Sequence, residues 1–385
     1  MGMASTENKG KTALGIMCFL ITSGILTVGL WPFNFDPVNQ VERLRDMNGI
    51  RFYGQGIVKY SEPDDFLKAF SDSGAISIEF RIRPEQDNSK YIASIFTLLD
   101  ARGEVAVLCG QWKSHLVIRS FNEDKKGRAR YYEWGLENVL QRNEVRLLTI
   151  SSGPRGTDLY LDGVRKHSYT RNLLLTDLRR YPGNLILGNT PTGESFWTGS
   201  FLGMAFYDRT LNSVEVLDHF HGWQKHGQPD TSGGKGPIAL YIFDEHGGRQ
   251  IRNHSGDRRH LLMPATFQPL LRTILGAPEK DQWFSRGNLM DVAINALGFA
   301  PFGFFLAAWL RFSNNISAPV AYWIAIALGF CISIAIELTQ VYLPMRDSSL
   351  LDVTSNTLGT VAGILLFVYV LPILRKINSG RMFLS

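Results

Sequence analysis

Hydrophobic positions along this chain follow two periods, and the change from one to the other divides it. Residues 12–31 are almost continuously apolar, and further apolar runs cover residues 290–310, 319–343 and 354–374. A helix of about 20 residues, rising about 1.5 Å per residue, crosses the roughly 30 Å hydrocarbon core of a bilayer. Between residues 49 and 267 the period falls to two. Ile76, Ile78, Phe80 and Ile82 alternate with Ser77, Glu79, Arg81 and Arg83, which predicts a half-buried antiparallel strand. Similar runs recur (IASIFTLLD, VAVLCG, HLVIRSF, VRLLTIS, DLYLDG, NLILGN, LGMAFYD), separated by Gly153-Pro154, Asp162-Gly163 and Pro182-Gly183. Many short strands with few helices predict a sandwich or jelly roll. The expected fold class is mixed: an all-α four-helix transmembrane bundle plus an extracytoplasmic all-β jelly-roll sandwich.

Three segments follow. Residues 1–35 form a short N-terminus and the first span, residues 36–270 the jelly roll, and residues 271–385 a three-helix membrane part. The first run ends in Trp31-Pro32-Phe33-Asn34-Phe35 without a small-residue cleavage site, so an uncleaved anchor is expected rather than a signal peptide. Lys9 and Lys11 before it, Arg311 between the second and third runs, and Arg375, Lys376 and Arg381 after the last put all of these in the cytoplasm. Both termini are then cytoplasmic and the large domain extracytoplasmic, in a multi-pass membrane protein. Trp31, Trp283, Trp309 and Trp323 fall near span ends, as interfacial aromatics do.

Composition changes this picture little. The formal charge of +5 over 385 residues shows no Lys/Arg stripe interleaved with aromatics, so nucleic acid is not an expected partner. Cys18, Cys109 and Cys331 suggest neither a disulfide nor a metal site and are expected to be inert buried thiols.

Chemistry concentrates in the polar positions of the apolar runs. Asp291, Asn295 and Gly298 share one helical face, as do Ser333, Glu337 and Gln340, and again Asp352, Asn356, Gly359 and Gly363. A charged carboxylate facing lipid costs roughly 2.5–3.5 kcal/mol at mid-span, so these stripes should face one another, with Arg346 as countercharge. The expected product is a head-group pocket formed by Asp291, Asn295, Glu337, Gln340, Arg346, Asp352 and Asn356, in which Arg346 pairs with phosphate or carboxylate. The plainer reading has these groups only joining helices: Gly359 and Gly363 permit close approach, Asp352 caps the last helix, and Pro301 kinks its own.

Two family resemblances add to this. Thr157–Gly163 (TDLYLDG), Gly183–Asn189 (GNLILGN) and the run from Trp197 to Leu211 resemble hairpins and the closing strand of laminin-G-like, concanavalin A-type jelly rolls. Ala239–Glu245 (ALYIFDE) resembles the strand that usually opens that fold; here it comes last, so a circularly permuted order is expected. Trp31–Phe35 (WPFNF), Asp291–Phe304 (DVAINALGFAPFGF) and the stretch 336–363 (IELTQVYLPMRDSSLLDVTSNTLGTVAG) resemble the VanZ-like membrane family.

The jelly-roll resemblance implies carbohydrate recognition or adhesion and, in some members, bound calcium. Trp112, Trp134 and Trp197 are the candidate sugar-stacking rings, with core packing the alternative. Asp158, Asp162 and Asp244 are the candidate calcium ligands, although Asp162-Gly163 also reads as a plain hairpin turn; no other cofactor is expected. The acids of a glycosidase must lie about 5–10 Å apart, and the ExDxE strand motif of jelly-roll glucanases is lacking, so hydrolysis is not expected. The VanZ-like resemblance implies a link to glycopeptide (teicoplanin) tolerance or envelope polysaccharide, with no reaction to inherit. The expected function is therefore a cell-envelope protein, more a binder than an enzyme, whose partners are membrane lipid and a glycan or lipid-linked glycan. The alternatives are an intramembrane enzyme using Glu337 or Asp352 on a polyprenyl-linked carrier, and a scaffold whose jelly roll docks a partner protein. Turnover of a labelled lipid-linked substrate separates the first from the binder, and glycan binding argues against the second.

Overall fold

The computed structural model describes residues 2–60, 73–89, 91–123, 129–170, 174, 183–256, 258–277, 286–313, 316–344 and 346–370. Trp283, Pro182, the end of the last apolar run and the basic residues Arg375, Lys376 and Arg381 lie outside them. The chain divides into two compact units, residues 37–271 and residues 1–36 with 272–385.

The unit of residues 37–271 is a sandwich of two antiparallel sheets. Its strands in chain order are β1 (Val41–Arg43), β2 (Ile50–Phe52), β3 (Val58–Tyr60), β4 (Ile76–Pro84), β5 (Ala93–Leu99), β6 (Val105–Trp112), β7 (His115–Glu123) and β8 (Ala129–Leu136). They continue with β9 (Arg146–Gly153), β10 (Gly156–Leu161), β11 (Val164–Tyr169), β12 (Leu185–Leu187), β13 (Gly199–Tyr207), β14 (Ala239–Tyr241), β15 (Gln250–Ile251) and β16 (Leu261–Leu262). The first sheet runs β1-β2-β13-β4-β9-β10-β11, with β14 also on β13; the second runs β15-β16-β3-β12-β5-β6-β7-β8. Inward residues such as Phe52, Phe80, Phe96, Trp197 and Phe201 fill the space between them.

Ile76, Ile78, Phe80 and Ile82 point inward as their alternation predicts, but Ser77 and Glu79 are also fully buried. The reason is a helix, α1 of this unit (Ser213–His226), that covers part of the outer face of the first sheet. Asn212 caps it, accepting from the Val214 and Glu215 amides, while Glu215 returns to the Asn212 N–H in a capping box; Gly227 ends it at φ 67°. The signal for this helix, Asn-x-x-Glu before an amphipathic run, is present in the sequence.

Ala239–Tyr241 does join the first sheet, pairing Met204, Ala205 and Phe206 of β13, while β2 pairs Gly199–Phe201 on the same strand. The ends of the sandwich meet: Val38 bridges Thr266, the Asn39 N–H donates to Ala265 O (3.0 Å), and the Phe267 N–H donates to Pro37 O (2.8 Å). Asn39 locks this seam from inside. Its Oδ1 accepts from the Ile57 N–H (2.8 Å), and its Nδ2 donates to Ile57 O and Pro264 O (both 2.9 Å).

The other unit holds helices α2 (Gly2–Leu30), α3 (Arg286–Ser313), α4 (Ala318–Gln340) and α5 (Leu350–Leu365), the last running into a π-helical turn, Leu366–Val370. These supply four segments long and apolar enough to cross a membrane: Gly10–Leu30, Asn288–Phe312, Ala318–Gln340 and Leu350–Tyr369. Helices α3 and α5 touch backbone to backbone. A Cβ on Gly359 would overlap the Ala296 carbonyl, one on Gly363 the Ala300 carbonyl, and one on Gly303 the Thr360 carbonyl. Helix α3 continues through Pro301. Of the three free thiols, Cys109 is buried, whereas Cys331 is exposed on the helix surface, correcting the expectation of three buried thiols.

Candidate functional site

Two groups of residues carry chemistry, one in each unit. In the helical unit the loop after α4 turns back on itself and is held by the connector before α3. The Gly276 N–H donates to Ser348 O (2.8 Å) and the Leu350 N–H donates to Gly276 O (3.0 Å). This places Ser349 at the N-terminus of α5, where its side chain accepts from the Leu351 N–H (3.1 Å). Glu337, 1% exposed, reaches the same helix start from α4 and accepts from the Ser349 N–H at 2.7 Å. A carboxylate suits that position, because the first amides of a helix lack intrahelical acceptors and carry partial positive charge.

Around Glu337 the structure gathers the predicted polar stripes. Asp352 lies near Asn295, Asp291 and Arg346, and Glu337 lies near Asp352 and Arg346. The Asn356 amide donates to Ser333 Oγ (2.9 Å), and the Gln340 amide donates to Gly29 O of α2 (2.8 Å). Gln340 Oε1 and Asn356 Oδ1 are buried without a hydrogen-bond partner among the described residues.

Arg346 departs from expectation. It makes no ion pair with Glu337 or Asp352; its Nε donates to Trp31 O (3.0 Å) and one terminal nitrogen to Val28 O (3.4 Å). Those carbonyls lie at and just beyond the C-terminal end of α2, where a cation offsets the helix dipole and satisfies acceptors that have no helical donor. The guanidinium is exposed at the edge of the cluster, so the interior holds acceptors in excess: the Glu337 and Asp352 carboxylates and two orphan amide oxygens.

In the sandwich, Trp197 (1% exposed) donates its Nε1 to Gln111 Oε1 (2.7 Å) and packs on Phe52 and Phe201. Trp134 is buried against Tyr169. Both rings are core, which corrects their reading as sugar platforms: neither has an open face. Trp112 is exposed at the β6–β7 turn, stacked on His115 with Lys113 Nζ 4.7 Å from its ring.

The calcium candidates do not come together. Asp162 Oδ1 accepts from the Leu147 N–H (2.9 Å) and its Oδ2 pairs with Arg146 (2.8 Å), which is the work of a hairpin turn. Asp158 lies 4.0 Å from Arg165. Asp244 belongs to a group with Glu245 and His254, whose ligand atoms lie within 4.8 Å of one another. That group is already hydrogen-bonded: Asp244 with His254 (3.0 Å), and Glu245 with Arg43 (3.0 Å) and the Arg252 backbone N–H (2.5 Å). With its carboxylates engaged and a His among its donors, it does not fit the all-oxygen shell that calcium takes.

A second polar group in the sandwich has no counterpart among the predicted residues. A cleft of ≈ 360 Å³ opens where β2, the start of β13 and the loop after β4 meet, lined by Arg51, Tyr53, Glu85, Asp87, Asn88 and Arg142 among others. Arg51 holds Glu85 bidentately (2.8 and 2.9 Å) with Glu42 at 3.3 Å, and these carboxylates push its pKa further up. Its residues come from four separate stretches, so no local motif marks it.

Comparison with known proteins places both halves. Residues 238–374 match the VanZ/LLP1 family model, and residues 59–217 match that of the concanavalin A-like lectin/glucanases superfamily. The first match takes in β14–β16 as well as α3–α5, and leaves Trp31–Phe35 outside. No curated protein matches the chain. Among solved structures, the botulinum neurotoxin type G receptor binding domain is similar at 11% identity and a TM-score of 0.35, over 48% of this chain and 45% of that one. A SAP-like pentraxin from Limulus polyphemus is similar at 9% identity and 0.34, over 61% of this chain and 95% of that one. A Trypanosoma rangeli sialidase is similar at 15% identity and 0.35, over 49% and 29%. The chain thus spans under half the length of the first of these. From its two family matches and its two units, the chain is a concanavalin A-like sandwich combined with a VanZ/LLP1-type segment whose helices are long and apolar enough to cross a membrane.

Proposed function

We propose that this chain is a glycan-binding membrane protein of the bacterial cell envelope, with the sandwich outside the cytoplasm and the helices as its anchor. The observation that carries this reading is the concanavalin A-like match on a sandwich whose two ends meet at one seam, with an apolar span before it and three after. Such a unit can be inserted between two spans without disturbing either fold. The VanZ/LLP1 match supports a role in envelope polysaccharide or glycopeptide tolerance.

The acceptor-rich cluster around Glu337 favours a finer reading, in which the ligand is a lipid-linked glycan. Arg346 at the exposed edge meets a phosphate, and the acceptor-rich cluster behind it suits the donors of a sugar. Mass spectrometry of what co-purifies from native membranes tests both levels. A lipid-linked sugar supports them; a protein partner alone, with no sugar, supports the scaffold instead. Glu337→Gln and Arg346→Ala are expected to lose the glycopeptide-tolerance phenotype at unchanged membrane abundance, and full activity in both would remove the pocket.

A further inference from the structure

The outer face of the first sheet carries guanidinium groups that no described residue of the sandwich neutralises. Ser200 pairs with Arg51 on β2 and with Arg83 on β4, so these three side chains lie side by side across three strands; Gly203 next pairs with Arg81. Arg51 is neutralised by Glu85 and Glu42. Arg81, Arg83 and, in the adjoining cleft, Arg142 make no hydrogen bond, ion pair or ring contact with another described residue. Arg81 is half-buried, and burial without a countercharge pushes its pKa down. The Ser200 hydroxyl between them is buried and has no hydrogen-bond partner among the described residues. A partly desolvated cation with no partner costs free energy that a bound anion returns.

The cleft supplies what a sugar ring needs beside that charge. Tyr53 presents a ring 45% exposed, and Asp87 and Asn88 offer an acceptor and an amide that engage no other described residue. Four guanidiniums (Arg51, Arg81, Arg83 and Arg142) stand against three carboxylates (Glu42, Glu85 and Asp87), so the surplus is positive. We propose that this cleft and the adjoining Arg83–Arg81 stripe form one binding site for an acidic sugar, its hydroxyls in the cleft and its carboxylate or phosphate on the arginines. A guanidinium fork matches either anion in two parallel hydrogen bonds. The site rests on the glycan-binding reading above and specifies its ligand class.

The test uses the full chain in detergent with two probes, an oligogalacturonate and its methyl ester, which share a backbone and differ in charge. Wild type is expected to bind the acid at least tenfold more tightly than the ester. Arg83→Gln and Arg142→Gln are each expected to weaken the acid about tenfold or more, and the ester by much less. Arg142 lies in an exposed loop, so its variant keeps the test sound should Arg83→Gln disturb the sheet. Equal binding of acid and ester, or wild-type affinity in both variants, overturns the site. So does failure to bind either probe while neutral glycans still bind, which leaves the glycan reading standing; binding of no glycan at all removes both.

Discussion

Glu79 is the most constrained charge in the sandwich, and nothing local in the sequence says so. It is fully buried, accepts from Tyr207 OH (3.0 Å) and Trp223 Nε1 (3.0 Å), and lies 2.9 Å from His219 Nδ1. Alternation places it on the outer face, which is correct; the helix that covers that face is far along the chain. Glu79→Ala leaves three polar groups without their acceptor and is expected to cost about 3 kcal/mol or more of unfolding free energy, read by denaturant unfolding followed by tryptophan fluorescence. Burial, with the Glu79 charge, also pushes the Tyr207 hydroxyl well above the ordinary phenol range. An unfolded tyrosine ionises near pH 10, so stability holds below about that pH and falls as pH rises beyond it. Tyr207→Phe is expected to flatten that alkaline limb, with Tyr241, also raised by burial, keeping part of it. Arg346 makes the complementary point: nearby acids in the sequence suggested an ion pair, but open carbonyls at the end of another helix took its donors.

At the scale of elements, the apolar runs and the alternating strands were legible because each follows its own period over many residues. Which helices touch was less so. The α3–α5 contact depends on single glycines opposite carbonyls, and a spacing such as Gly359-xxx-Gly363 names a surface without naming its partner. Gly363→Leu is expected to force these helices apart and lower the thermal midpoint of the detergent-solubilised protein by several degrees; an unchanged midpoint would contradict the packing. In the sandwich, Asn212→Ala removes the cap of its helix and is expected to cost about 1 kcal/mol in denaturant unfolding.

Across the whole molecule, the all-β sandwich and the apolar helices were legible in the sequence, and so was the reason why carboxylates inside apolar runs need polar neighbours. The cleft and arginine stripe were not. Their residues come from strands that meet only after the sheet forms, and their distinguishing property is the lack of a partner, which no linear pattern records. The seam that closes the sandwich is likewise three-dimensional. Asn39→Ala removes three hydrogen bonds there, two of them buried, and is expected to destabilise the sandwich by about 2–3 kcal/mol, with an intact unfolding profile contradicting its role. The central claim is that this membrane protein recognises glycan through its sandwich. Binding of the purified full chain to an array of envelope-type glycans tests it most directly. Saturable binding that soluble glycan competes away is the predicted result; a folded protein that binds none of them would contradict it.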